Sequence, residues 1–225
     1  MKITSYVITI MDLPESVELA KRTIKSALTK SNLTVNHYSA VTPKDNPKFS
    51  LELSNVNTEG FVLDTGSRPN NVLAAFHSHY NIWQEASVAH PSDIFIIFEH
   101  DAVVLDQIPY NTPFKQAMTI GAPSYGKFQS PKSLGINPLT SKKYFPGAHA
   151  YMIRPSAARA FIEQSRKIAL ATDIFLNQDY FPFLEEYYPW PVIAKDTFST
   201  IQNISGCVAK HSYNKGNGYE IIKVD

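Results

Sequence analysis

One cysteine, Cys207, stands among 225 residues, so no internal disulfide and no thiolate zinc cluster can form. A zinc ribbon and a two-cysteine redox centre are therefore excluded, and a single thiol fits a reducing compartment. Long apolar runs are missing as well: none approaches the roughly 18 residues of a membrane span. The apolar part of the opening MKITSYVITIMD is too short for a secretory signal, so a cytoplasmic location is expected. The sequons at Asn32 and Asn203 then carry no weight. No G-x-G-x-x-G follows a strand pattern and no Walker A loop is present, which leaves a dinucleotide fold or a nucleotide triphosphatase without support. Internal repeats and low-complexity stretches are also lacking, which excludes solenoids and linker-joined arrays.

What is present is ordinary for a globular chain: 44% hydrophobic residues, 12% aromatic, and 21 basic against 20 acidic side chains. The length suits a single domain over residues 1–225, with a flexible C-terminal tail from about residue 212, where Lys215-Gly216-Asn217-Gly218 falls. The near-zero net charge hides an asymmetry. Residues 107–172 carry nine basic side chains and one acidic one, Glu163, whereas the remainder holds 12 basic and 19 acidic. If those cations share a face, their partner is anionic; if they are scattered over several elements, they are solvated surface.

Residues 4–10 read as a strand, and Asp12-Leu13-Pro14-Glu15 as a capping box with proline at the first helical position. The following helix shows an apolar stripe of Val17, Ala20, Ile24 and Leu28. Residues 35–41 form a second strand, and residues 44–69, punctuated by Pro and Gly, form a long loop. Asn70 caps a helix over residues 71–87 with Leu73, Phe76, Tyr80, Ile82 and Trp83 on its buried side. The continuous run Ile94-Phe95-Ile96-Ile97-Phe98 is the pattern of a central strand covered on both faces. Residues 148–153 give another strand, and Pro155 opens a helix. Strands alternating with helices predict an α/β sandwich with a mostly parallel central sheet.

The central strand runs into Glu99-His100-Asp101, which places two acids at the carboxyl end of a buried strand, where open α/β sheets bind ligands. Strand alternation puts Glu99 and Asp101 on one side and His100 on the other. Paired hard oxygens of this kind suit Mg²⁺ or Mn²⁺ and a diphosphate; the bland alternative is a strand end with solvated acids. His77 and His79 lie two apart on a helix and do not chelate one metal; each reads as a packed or capping histidine. His211, near the tail, could reach back as a metal or phosphate ligand, or lie exposed. Residues 175–190 interleave aromatics with acids, a surface that stacks a sugar or base, or else core. Asp173 is the preferred base there, with an N-cap as its structural alternative.

Several pieces in order resemble glycosyltransferase family 25, the lipopolysaccharide-biosynthesis type, including its short phage-encoded members. They are Tyr6-Val7-Ile8, Tyr38-Ser39-Ala40-Val41, Ser78-His79-Tyr80-Asn81-Ile82-Trp83, Phe98-Glu99-His100-Asp101-Ala102 and Gly147-Ala148-His149-Ala150-Tyr151-Met152-Ile153, followed by Ala157 and Ala158. The family's acidic triplet has histidine in its middle position here, His100. The resemblance implies a GT-A-like three-layer sandwich and inverting transfer of a sugar from a nucleotide-diphosphate donor, a UDP-sugar first among the candidates. It implies a metal, Mn²⁺ or Mg²⁺, on Asp101, with Glu99 holding the ribose or metal-bound waters. Ser78 and His79 then lie at the donor. Where the family carries arginines after the first strand, this chain offers Lys21 and Arg22. Asp173 is the implied base, with Asp179 competing. The acceptor expected first is a hydroxymethylated or already glycosylated base of phage DNA, bound by the basic 107–172 segment in the host cytoplasm. A lipopolysaccharide or other saccharide is the alternative, and a non-catalytic sugar- or nucleic-acid-binding protein on a degenerate transferase fold is a third reading.

Overall fold

The computed structural model describes residues 1–61, 69–124 and 126–194. Strands are β1 (Ile3–Thr9), β2 (Asn36–Ser39), β3 (Ile94–Glu99), β4 (Ala102–Val104), β5 (Ala117–Thr119), β6 (Gly135–Pro138), β7 (Ala150–Ile153), β8 (Leu184–Tyr188) and β9 (Val192–Ala194). Helices are α1 (Pro14–Ser31), α2 (Pro47–Leu53), α3 (Pro69–Ser87), α4 (Pro155–Ser165) and the single turn α5 (Thr172–Phe175). Seven strands form one sheet in the order β2-β1-β3-β7-β5-β8-β6, and β4 pairs with β9 in a separate ribbon.

The fold class expected from the sequence is thus present, but the sheet is mixed. β1 runs parallel to β2 and β3, and β5 to β8. β7 opposes both β3 and β5, and β6 opposes β8, so the pairings divide equally between the two senses. β3 lies third in the sheet, and its alternation splits the core. Phe95 and Ile97 join the layer built on α3 and α4, while Ile94, Ile96 and Phe98 join the layer built on α1 and the β4–β9 ribbon. All five are at most 4% exposed, as a strand covered on both faces requires.

Four local expectations are corrected. Leu13, not Asp12, occupies the cap of α1 and makes no side-chain cap hydrogen bond; Asp12 instead meets Lys44 at 2.8 Å. The buried face of α1 is Leu19, Ala20, Thr23, Ser26 and Ala27, while Leu28 is exposed. The shift arises because small hydroxyls bury when the backbone satisfies them. Thr23 Oγ1 donates to the Ala102 carbonyl at 2.6 Å, and Ser26 Oγ accepts from Val104 N at 3.0 Å, which fastens the helix to β4. Of the expected loop over residues 44–69, the described part, 44–61, is not open: α2 buries Leu51 completely, and Val56 and Phe61 join the core. Finally, Asn70 lies inside α3 rather than at its cap.

Candidate functional site

The parallel trio β2-β1-β3 ends on one rim, and a cavity of about 420 Å³ opens there. Ile8 and Ile10 follow from β1, Ala40 to Lys44 from the segment after β2, and Asn71, Ala74, Ala75, Ser78 and His79 from α3; Glu99 and His100 close it at the end of β3. The walls are mainly apolar, with a few polar groups converging at one end, the usual make-up of a small-molecule site. Its position is the carboxyl-end crevice of an open α/β sheet.

Alternation along β3 continues to Glu99, which points toward α3 and lies within hydrogen-bond distance of His79, Oε1 to Nε2 at 3.2 Å. His79 Nδ1 lies 2.8 Å from the Tyr151 hydroxyl, and that hydroxyl accepts from Trp83 Nε1 at 3.0 Å. Tyr151 stands on β7, where it pairs with Ile97 of β3, and so occupies the face that Glu99 continues. His79 is 1% exposed, and burial drives its pKa down to about 3, so the ring is neutral. Burial, and then the nearby negative charge of Asp173, push the Glu99 carboxyl well above the ordinary carboxylate range.

The strand stops at Glu99, so alternation does not extend to the next two residues. His100 Nδ1 lies 3.1 Å from Ser16 Oγ at the start of α1, on the side opposite Glu99. Asp101 sits in the β3–β4 turn, where its carbonyl accepts from Arg22 Nη2 at 3.3 Å, and it does not line the cavity. The expectation that Glu99 and Asp101 face one site rested on strand geometry, and the turn removes that basis.

The other candidates separate clearly. Ser78 lines the cavity, but its hydroxyl donates to the Ala74 carbonyl and accepts from Val41 N, both at 2.9 Å, so it fastens the wall. Lys21 is exposed beside Glu18, and Arg22 is buried against the β3–β4 turn; neither lines the cavity. Asp173, in the first turn of α5, acts electrostatically on both Glu99 and His79, so those three acid–base groups come together. It does not cap that turn, whose N-cap is Ala171. Asp179 lies elsewhere, exposed, 3.7 Å from Lys143. His211 falls outside the described residues. The aromatics of residues 175–183 are largely core: Phe175 and Phe181 are buried and pack edge-on against each other.

In the sequence alone Lys44, Asp12 and Tyr151 have no part in a site: Asp12 reads as a helix cap and Tyr151 only as part of a strand motif. Period-2 alternation places Tyr151 beside Ile153 on a strand, but only the β3–β7 pairing brings it to His79. No pattern marks Lys44, whose ion pair with Asp12 spans two loops that meet at the cavity. The positive segment is divided too. Arg159 donates to the Ser87 carbonyl, Arg166 to Glu163, and Arg154 to the Phe114 carbonyl, while Lys127, Lys132, Lys142 and Lys143 lie on the loops flanking β6.

Among the described residues no group of three or more His, Cys, Asp or Glu side chains is placed to hold a metal ion. Mg²⁺ and Mn²⁺ need no such group, since one or two carboxylates plus phosphate and water oxygens suffice. Asp101 offers one carboxylate, in the β3–β4 turn. No family model matches the chain, and no curated protein matches it.

Proposed function

We propose that this chain is a glycosyltransferase that takes a sugar from a nucleotide-diphosphate donor with inversion at the anomeric carbon, on a GT-A-like frame. The observation that carries the reading is the mainly apolar cavity at the carboxyl ends of β1 and β3, with the Glu99 carboxyl in its wall and Asp101 two residues beyond. A nucleoside suits this wall: its base takes the apolar surface and a ribose hydroxyl meets Glu99, while the diphosphate extends toward residues 100–101.

As the bond to the leaving diphosphate breaks, negative charge grows on phosphate oxygen and positive charge on the sugar ring. Mn²⁺ or Mg²⁺ held by Asp101 would neutralise the former. The acceptor hydroxyl attacks from the opposite face and needs a carboxylate about 3 Å away to take its proton. Asp173 is the choice, because its charge already acts at Glu99 and His79, whereas Asp179 is held at the surface by Lys143.

For the acceptor, the lysines at 127, 132, 142 and 143 support an anionic molecule, with a hydroxymethylated DNA base as the first assignment and a lipopolysaccharide sugar as the second. A thermal-shift series of nucleotide sugars with and without Mn²⁺ tests the donor, since a true donor stabilises the folded chain by mass action. Transfer is then assayed on hydroxymethylated duplex DNA and on lipooligosaccharide, and we expect Asp101→Asn to abolish it. Retained acceptor binding without metal-dependent turnover in the unaltered protein would make it a binding module instead.

A further inference from the structure

We infer that His79 is a positioning residue, holding the Glu99 carboxyl on the cavity wall through Nε2–H, with Tyr151 and Trp83 behind it fixing which ring nitrogen carries the proton. This rests on the reading above only in naming Glu99's ligand as a nucleoside.

The direction of the chain follows from counting donors. Trp83 Nε1 can only donate, and it donates to the Tyr151 oxygen at 3.0 Å. Tyr151 has one proton, and the partner within reach of it is His79 Nδ1 at 2.8 Å. Nδ1 must then accept, so the single proton of a neutral imidazole sits on Nε2 and points at Glu99 Oε1, 3.2 Å away. Reversing the order places two protons between Tyr151 and His79 and leaves a fully buried hydroxyl without an acceptor, which is unfavourable. The order holds whether Glu99 is ionised or carries its own proton on Oε2.

The scaffold makes the chain rigid. His79 and Trp83 are four apart on α3 and share a face, and the His79 ring lies at 27° to the Tyr151 ring with centroids 5.7 Å apart. Charged groups facing His79 are Glu99 from β3 and Asp173 from α5. With Oε1 taken by His79, Oε2 has no hydrogen-bond partner among the described residues and is the atom offered to a hydroxyl of the ligand.

The test uses the full chain labelled with ¹⁵N-histidine, whose seven histidines are sorted with His79→Gln. Long-range ¹H–¹⁵N spectra should show His79 as the Nε2–H form, and Tyr151→Phe should move it toward the Nδ1–H form. Binding of uridine, guanosine, cytidine and adenosine diphosphates is measured alongside. For whichever binds, His79→Leu should weaken binding about tenfold or more, His79→Gln should recover most of it, and donor KM should rise with kcat little changed. An Nδ1–H ring in the unaltered protein, or unchanged affinity in a folded His79→Leu, overturns the inference. If no diphosphate binds the unaltered protein, the transferase reading falls, and the tautomer alone decides the role of His79.

Discussion

At Gly121 an added Cβ would lie 2.5 Å from Nε2 and 2.9 Å from Cε1 of His149, whose ring is 2% exposed and has nowhere to retreat. We expect Gly121→Ala to cost about 1–3 kcal/mol through overpacking, read as a lowered urea midpoint with an unchanged slope. A midpoint equal to that of the unaltered protein would show that the ring swings aside. His149 and His79 also set the acid side of the stability profile. Burial lowers their pKa values to about 4 and about 3, so the folded chain keeps both neutral, whereas the unfolded chain protonates them below about pH 6.5. Their contribution is present above that pH and is lost as pH falls toward 4, because the unfolded state then binds more protons. Glu99 acts oppositely: its raised value means that rising pH ionises it first in the unfolded chain and removes stability. Asp12, Asp45 and Asp93 are held low and matter only below about pH 4. The urea midpoint should therefore peak near pH 6.5, and a flat profile from pH 4.5 to 6.5 would contradict this accounting.

Among the elements, α2 is one whose sequence concealed it. Pro47, Phe49, Leu51 and Leu53 have no helical period, and Phe49 and Leu53 are in fact 63% and 69% exposed, so a pattern search finds no buried stripe. Leu51, with Pro47 buried at the first turn, anchors the helix. Leu51→Ala should cost about 2–4 kcal/mol and Phe49→Ser less than about 0.5 kcal/mol, measured by urea unfolding. Equal costs would mean that Phe49 is covered in solution. The stripe on α1 failed for the converse reason. Thr23 and Ser26 are polar in the sequence and buried in the fold, because β4 supplies a carbonyl and an amide that only the tertiary structure brings to them. β3 succeeded because a strand buried on both faces needs no alternation to be recognised.

Over the whole molecule, the excess charge of residues 107–172 does not act as one body, since Arg154, Arg159 and Arg166 are engaged by local carbonyl and carboxylate oxygens. If duplex DNA binds along the loops flanking β6, the lysines there, at 127, 132, 142 and 143, are the cations that meet phosphates. The slope of log affinity against log salt should then be about −4 rather than the about −8 that nine contacts would give. A slope near −8, from titrations at several salt concentrations, would restore a single continuous face.

The sequence by itself determined the α/β alternation, the proline-started helices α1 and α4, the doubly covered β3 and the placing of Glu99 at its carboxyl end. These follow from local periodicity and backbone chemistry, which each residue carries wherever the chain goes. Only the tertiary structure decided that β7 lies antiparallel beside β3, that Tyr151 therefore backs His79, that the charge of Asp173 acts at Glu99 while Asp179 pairs with Lys143 at the surface, and that Asp101 falls in the turn after β3 rather than on the strand. Those outcomes depend on which distant segments bury their apolar faces together, and no local period records that choice.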